Sequence, residues 1–181
     1  MKTIIGIAGS LRTGSFNAAL LREAASSAVS GVEVVIKSIA AIPLYNGDEE
    51  EQSGIPTPVQ ELKDAIAAAQ GLLLATPEYN NAMPGVLKNA IDWLTRPPSD
   101  IPRVFGGKPV AMMGPLRAAS ARSWPRTPGC RSCGRLVRGR GSAAACSSLT
   151  RIKSSATGGE ITDVRLKEQI RQFVQGFAAS L

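Results

Sequence analysis

Short apolar runs alternate along the chain with longer amphipathic stretches. Residues 3–8, Thr3-Ile4-Ile5-Gly6-Ile7-Ala8, are almost continuously apolar and stop at Gly9, as a strand buried on both faces does. A polar, glycine-punctuated loop leads into residues 17–25, which are good helix formers. Residues 32–36 form a β-branched strand, followed by a long loop through Pro43, Asn46, Gly47 and Asp48. Residues 57–69 predict a helix with Pro58 in its first turn, and residues 71–75 a third buried strand. Residues 77–83 form a loop, Pro84 opens a helix that runs through Trp93 and stops before Pro97-Pro98, and residues 110–113 form a fourth strand. Residues 163–181 predict a helix with Leu166, Ile170, Phe173, Val174 and Phe177 on one stripe. Strands alternating with helices give a parallel sheet covered on both faces, a three-layer α/β sandwich with right-handed crossovers.

In such a sheet, ligands sit beyond the carboxyl ends of the strands. That rule puts Gly9-Ser10-Leu11-Arg12-Thr13-Gly14-Ser15-Phe16-Asn17 beside Thr76-Pro77-Glu78-Tyr79-Asn80-Asn81. The first loop opens a helix, so its N–H groups, the hydroxyls of Ser10 and Ser15, the Asn17 amide and Arg12 can surround a phosphate. Gly9 and Gly14 have P-loop spacing, but Ser15-Phe16 replaces the Lys-[Ser/Thr] pair that a nucleoside triphosphate needs, and G-x-G-x-x-G is absent. The loop suits one terminal phosphate; taken alone, it also reads as a plain turn. The second loop is stiff and polar, with exposed backbone that can hydrogen-bond the edge of a flat heterocycle.

Composition narrows the chemistry. The chain has 181 residues, 44% hydrophobic, with a mean hydropathy of +0.02, which fits one domain over residues 1–181. It has no histidine, so Ser-His-Asp and Cys-His catalysis and His-containing zinc sites are excluded. At 4% aromatic residues it has little with which to build a base-stacking surface. No apolar run approaches the ~20 residues of a membrane span, so a cytoplasmic protein without membrane contact is expected. Cys130 and Cys133 have redox or half-zinc spacing but lack a second ligand pair, with only Cys146 left, so no metal is expected.

The net charge of +7 comes from one stretch. From Ile101 to Gly159 there are 11 basic residues and no acidic one; the remainder carries 21 − 11 = 10 basic and 14 acidic residues, a net −4. Residues 116–156 show no period of 2 or 3.6. Nucleic-acid binding through Arg117 to Arg151 is one reading of the stretch and a solvated linker another. A third is a shifted reading frame over residues 115–157. With G/C-rich codons, the alternative frame from Pro115 can encode an Ala-Ala-Gly-Gly-Phe-Gly turn and an amphipathic helix, the original frame resuming near Gly158-Gly159.

Three motifs in order, residues 9–17, Pro77-Glu78-Tyr79-Asn80 and Leu87-Lys88-Asn89-Ala90-Ile91-Asp92-Trp93, resemble the NAD(P)H-dependent FMN reductases, a flavodoxin-like family that includes quinone and chromate reductases. The resemblance runs to about Gly114 and resumes over the last twenty residues or so. It implies a flavodoxin-like sheet of order 2-1-3-4-5, FMN as cofactor, and NADPH or NADH as electron donor. Ser10, Arg12, Ser15 and Asn17 would hold the FMN phosphate and ribityl chain, with Phe16 among the cofactor-binding residues. Pro77, Glu78, Tyr79 and Asn80 would line the isoalloxazine, Glu78 through its backbone rather than as an acid. The flavin itself would carry the chemistry, so no catalytic side chain is expected. Asn80 and Arg96 are candidates for orienting an acceptor or the nicotinamide; Arg96 alternatively complements the end of its helix. Arg103 reads as a solvated charge. The helix of residues 84–93 resembles a subunit-contact helix, implying a homodimer or homotetramer. The family's further glycine-rich flavin loop, helix and fifth strand are missing after Gly114. An FMN-binding electron carrier without nicotinamide turnover is the alternative within the same fold.

Overall fold

The computed structural model describes residues 1–27, 29–80, 82–114, 156–157 and 160–181. Along the chain these form β1 (Lys2–Ala8), α1 (Phe16–Ser26), β2 (Val32–Lys37), α2 (Gly47–Ser53), α3 (Thr57–Ala68), β3 (Gly71–Ala75) and α4 (Gly85–Leu94). A 3-10 turn (Pro98–Asp100), α5 (Ile101–Phe105), β4 (Val110–Met113), β5 (Ala156–Thr157), β6 (Glu160–Ile161) and α6 (Val164–Ala179) follow. The main sheet has the order β2-β1-β3-β4 with every pair parallel, Ile4 standing opposite both Val34 and Gly71, and Leu74 opposite Met112.

Alternation along the strands sorts the core into two layers. Ile4, Leu73, Ala111 and Met113 point to one face, where Leu20, Leu21 and Ala24 of α1 and Leu166, Ile170, Val174 and Phe177 of α6 cover them. Ile5, Ile7, Leu72 and Leu74 point to the other and pack on Leu62 and Ile66 of α3, Leu87, Ile91 and Leu94 of α4, and Val104 and Phe105. Gly6 lets α1 lie close on β1, since a Cβ there would stand 3.0 Å from Leu21 Cδ2.

The predicted fifth strand is not among the described residues, so the observed order is 2-1-3-4; β5 and β6 form a separate antiparallel pair. Residues 47–53, expected as loop, are helical. Asn46 caps them by accepting from Asp48 N at 3.0 Å, and Asp48, Glu49 and Glu50 lie in the positive first turn. The Arg117 to Arg151 stretch, Cys130, Cys133, Cys146, the bulk of the expected frame-shifted segment and Asn81 of the second loop lie outside the described residues. Among those described, no helix is long and apolar enough to cross a membrane.

Candidate functional site

Three strand tips converge at the carboxyl end of the sheet. Gly9 N donates to Ala75 O at 2.8 Å, and Thr76 N donates to Met113 O at 3.0 Å. Thr76 is gripped between two glycines: a Cβ at Gly9 would stand 2.4 Å from Thr76 Oγ1, and one at Gly114 would stand 2.2 Å from Thr76 O. Neither position has room for a side chain. The same Cβ at Gly114 would come within 3.2 Å of Asn17 Oδ1, so the bare glycine leaves space in front of that amide.

The first loop is built to start α1. Ser15 N donates to Arg12 O at 2.9 Å, closing a turn, and Ser15 Oγ caps the helix by accepting from Ala18 N at 3.3 Å. That hydroxyl keeps its own proton to donate. Ser15 and Asn17 are buried, Ser10 is half-buried and Arg12 is exposed. The Arg12 guanidinium folds across the loop, its Nη2 3.9 Å from where a Cβ of Gly14 would be, and it has no ion-pair partner among the described residues. Asn17 Oδ1 is inaccessible to solvent and accepts no hydrogen bond among the described residues. Phe16, expected at the cofactor, packs against the core layer under α1 and α6.

The second loop closes on itself. Tyr79 N donates to Ala82 O at 2.9 Å and Ala82 N to Tyr79 O at 3.0 Å, around Asn80 with a left-handed φ of 52°. Asn tolerates that conformation better than most residues. The Tyr79 N–H, one of the backbone groups of this loop, is thus already engaged. Tyr79 and Asn80 are exposed, Pro77 half-buried, and Glu78 has one inaccessible oxygen, Oε2, without a partner.

Arg96 is not brought to this crevice. α4 starts just after the second loop and runs away from it, and Arg96 lies about 15 Å farther along at a rise of ~1.5 Å per residue. Its Nε donates to Glu50 Oε2 and Oε1 at 2.8 and 3.1 Å, and its guanidinium carbon lies 6.0 Å from the centre of the Tyr45 ring. The hydrogen bond from Arg96 holds the Glu50 carboxyl below its ordinary range. Arg96 therefore fastens α2 to the end of α4, its guanidinium taken by Glu50 rather than by the last carbonyls of its own helix. Arg103, expected to be solvated alone, bridges Asp64 and Asp100 at 2.7 and 3.2 Å. Hydrogen bonds from Arg103 and then the buried Lys63 pull the Asp100 carboxyl down to about 2.

Thr76 was placed in the second loop without a role of its own, and Gly114 was missed as a site-forming residue. The one signal for Gly114 was a glycine directly after a buried strand, the same pattern that marked Gly9.

The model of the family described as NADPH-dependent FMN reductase matches residues 2–124, ending 124 − 114 = 10 residues beyond Gly114. An NAD(P)H-dependent FMN reductase of Pseudomonas aeruginosa is 49% identical over 111 residues, 61% of this chain and 58% of that protein. A quinone reductase of Escherichia coli is 46% identical over 108 residues, 59% and 56% of the two chains. The chain thus matches little more than half the length of these relatives. Among solved structures, the flavoenzyme NAD(P)H:(acceptor) oxidoreductase FerB from Paracoccus denitrificans superposes with a TM-score of 0.71 at 28% identity, covering 99% of this chain and 96% of its own. With the motif loops at the strand tips and the family match spanning over half its residues, this chain belongs to the NADPH-dependent FMN reductase family.

Proposed function

We propose that the chain binds FMN between residues 9–17 and 76–80 and acts as an NAD(P)H-dependent oxidoreductase on quinones or similar small acceptors. The observation that carries this reading is the pair of buried, partnerless oxygens, Asn17 Oδ1 and Glu78 Oε2, on two neighbouring loops. An unsatisfied buried acceptor costs about 1–3 kcal/mol, so two of them beside one crevice fit a ligand that brings donors to both. FMN has such donors in its ribityl hydroxyls and its ring imide. Its phosphate fits Arg12, the Ser15 hydroxyl and the first-turn N–H groups of α1, where the helix dipole favours an anion.

When bound, FMN supplies a two-electron centre that takes hydride from the nicotinamide and returns two electrons, with two protons, to a quinone. The protein's part is to hold and expose it, which requires no side-chain base and agrees with a chain that has no histidine. Asn80, at the rim, stays a candidate for orienting the substrate. The relatives named as FMN and quinone reductases support quinones and free flavins as the acceptor class; chromate and azo dyes fit the same open face. The proposal includes a cytoplasmic homodimer or homotetramer, for which exposed Val86 on α4 and Leu44 beside it offer apolar surface.

The absorption spectrum of the purified protein tests this directly. A flavin band that bleaches on adding NADPH without oxygen, with NADPH turnover once a quinone is present, supports the enzyme. A band without turnover favours the electron carrier. Colourless protein that cannot be reconstituted with FMN overturns both.

A further inference from the structure

Of the chain's five asparagines, Asn46 alone is followed by glycine; Asn80 precedes Asn81, and Asn17, Asn81 and Asn89 precede alanine. Asn46 and Gly47 are exposed, at the start of a helix, α2, that buries no residue. Asn46 Oδ1 accepts from Asp48 N, but among the described residues Asn46 Nδ2 and the Gly47 N–H have no partner. Glycine puts no side chain beside its nitrogen, and the surroundings of Gly47 are open: a Cβ there would meet only the Tyr45 hydroxyl, 3.8 Å away. What opposes reaction is the backbone. At the Asn46 ψ of 121° the Gly47 nitrogen is rotated away from Cβ, whereas closing a five-membered ring through Cγ needs the two eclipsed. That angle is held on both sides by α4: Pro43 O and Tyr45 N are bonded to Asn89 and Trp93, and Glu50 is bonded to Arg96 just beyond its end.

We infer that Asn46-Gly47 is a self-modification site, gated by the hold that α4 keeps on residues 43–50. When that hold opens and Asn46 turns, the Gly47 nitrogen attacks Asn46 Cγ; the Cγ–Nδ2 bond breaks, and ammonia leaves with the proton that the nitrogen gives up. Water then opens the cyclic imide. Attack at Cγ gives aspartate; attack at the main-chain carbonyl gives isoaspartate, with the chain routed through Cβ and Cγ. Aspartate keeps an oxygen for Asp48 N and a negative charge at the positive start of α2, so the cap survives. Isoaspartate lengthens the main chain by one carbon, so the cap and the Glu50–Arg96 pair no longer fit together and α2 stays loose. The reaction thus converts a transient opening of this segment into a permanent one.

The full chain is incubated at mildly alkaline pH, folded and in urea, then cleaved after Lys37 and Lys63; the peptide of residues 38–63 contains one asparagine, Asn46. Its mass reports the change from amide to acid, and an isoaspartate-specific methyltransferase separates the two products. Folded wild type should convert at Asn46 while the other asparagines stay intact, roughly tenfold or more slower than in urea, because only the opened segment reacts. Asn89→Ala and Glu50→Ala, which each cut one side of the hold, should raise the folded rate several-fold towards that in urea. Gly47→Ala should suppress the reaction in both states and leave the fold intact, since its Cβ has room. The isoaspartyl fraction should exchange the amide hydrogens of residues 43–53 faster than unconverted protein, with β1 and β3 unchanged. Folded protein that never converts at Asn46 although the unfolded chain does, or that converts as fast as the unfolded chain, overturns the inference. So do release variants that react no faster than wild type, and an isoaspartyl fraction with unaltered exchange. If Asn89→Ala does not fold, Glu50→Ala decides.

Discussion

Gly114 and Gly176 carry the same side chain for opposite reasons. A methyl at Gly114 would collide with the Thr76 carbonyl, a backbone atom that cannot swing aside, whereas one at Gly176, exposed within α6, meets nothing within 4 Å. Gly114→Ala should therefore lose about 1–3 kcal/mol of stability and weaken FMN binding, because the strand tips must part. Gly176→Ala should gain up to ~1 kcal/mol from helix propensity alone. Urea denaturation of both variants checks the pair. Sequence reasoning singled out Ser15 and Asn17 because hydroxyl and amide groups at the start of a helix have a known use. It missed Gly114, and the grip on Thr76, because that role is steric and exists only once β1, β3 and β4 lie side by side. The pairing of Arg96 was not legible for a related reason: its partner Glu50 sits on a helix with no apolar periodicity to announce it.

At the level of elements, β1, β3, β4 and α4 were legible because burial on both sheet faces, or a capped amphipathic run, leaves a strong pattern. α2 buries no residue at all and is held from outside. Its anchor is a polar clasp on α4: Asn89 Nδ2 and Trp93 Nε1 both donate to Pro43 O, at 2.8 and 2.9 Å, and Asn89 Oδ1 accepts from Tyr45 N at 2.8 Å. Asn89→Ala should release residues 43–53, raising their amide hydrogen exchange at least tenfold while β1 and β3 stay protected. The turn before α5 is tied down by charge instead. Asp100 is ionised far below its unfolded value of about 3.9, so its contribution is present above that pH and fades as pH falls towards 2. Asp100→Asn should therefore be less stable than wild type at neutral pH, with the difference shrinking between about pH 4 and 2 in urea midpoints taken across that range.

For the molecule as a whole, a parallel sheet covered on both faces followed from the alternation of elements, while its order and the family followed from the resemblance carried by three spaced motifs; the strand expected fifth lies outside the described residues. The eleven basic residues between Ile101 and Gly159 share that stretch with no acidic one, and over residues 116–156 no hydrophobic period can be read. A shifted frame across residues 115–157 predicts an intact mass different from that of the printed sequence and tryptic peptides carrying a Gly-Gly-Phe-Gly turn. Peptides ending at Arg117, Arg122 and Arg126 as written would remove that reading.

Because the grip on Thr76 is made by main chain and by missing side chains, the floor of the crevice cannot be retuned by swapping one side chain for another. Adaptation to a new acceptor has to proceed at the brim, where Leu11 and Tyr79 face solvent and can change without disturbing what lies beneath. A mutagenesis library confined to those two positions should therefore broaden substrate range at little expense in folding yield, whereas one that includes Gly9 and Gly114 should yield mainly insoluble protein.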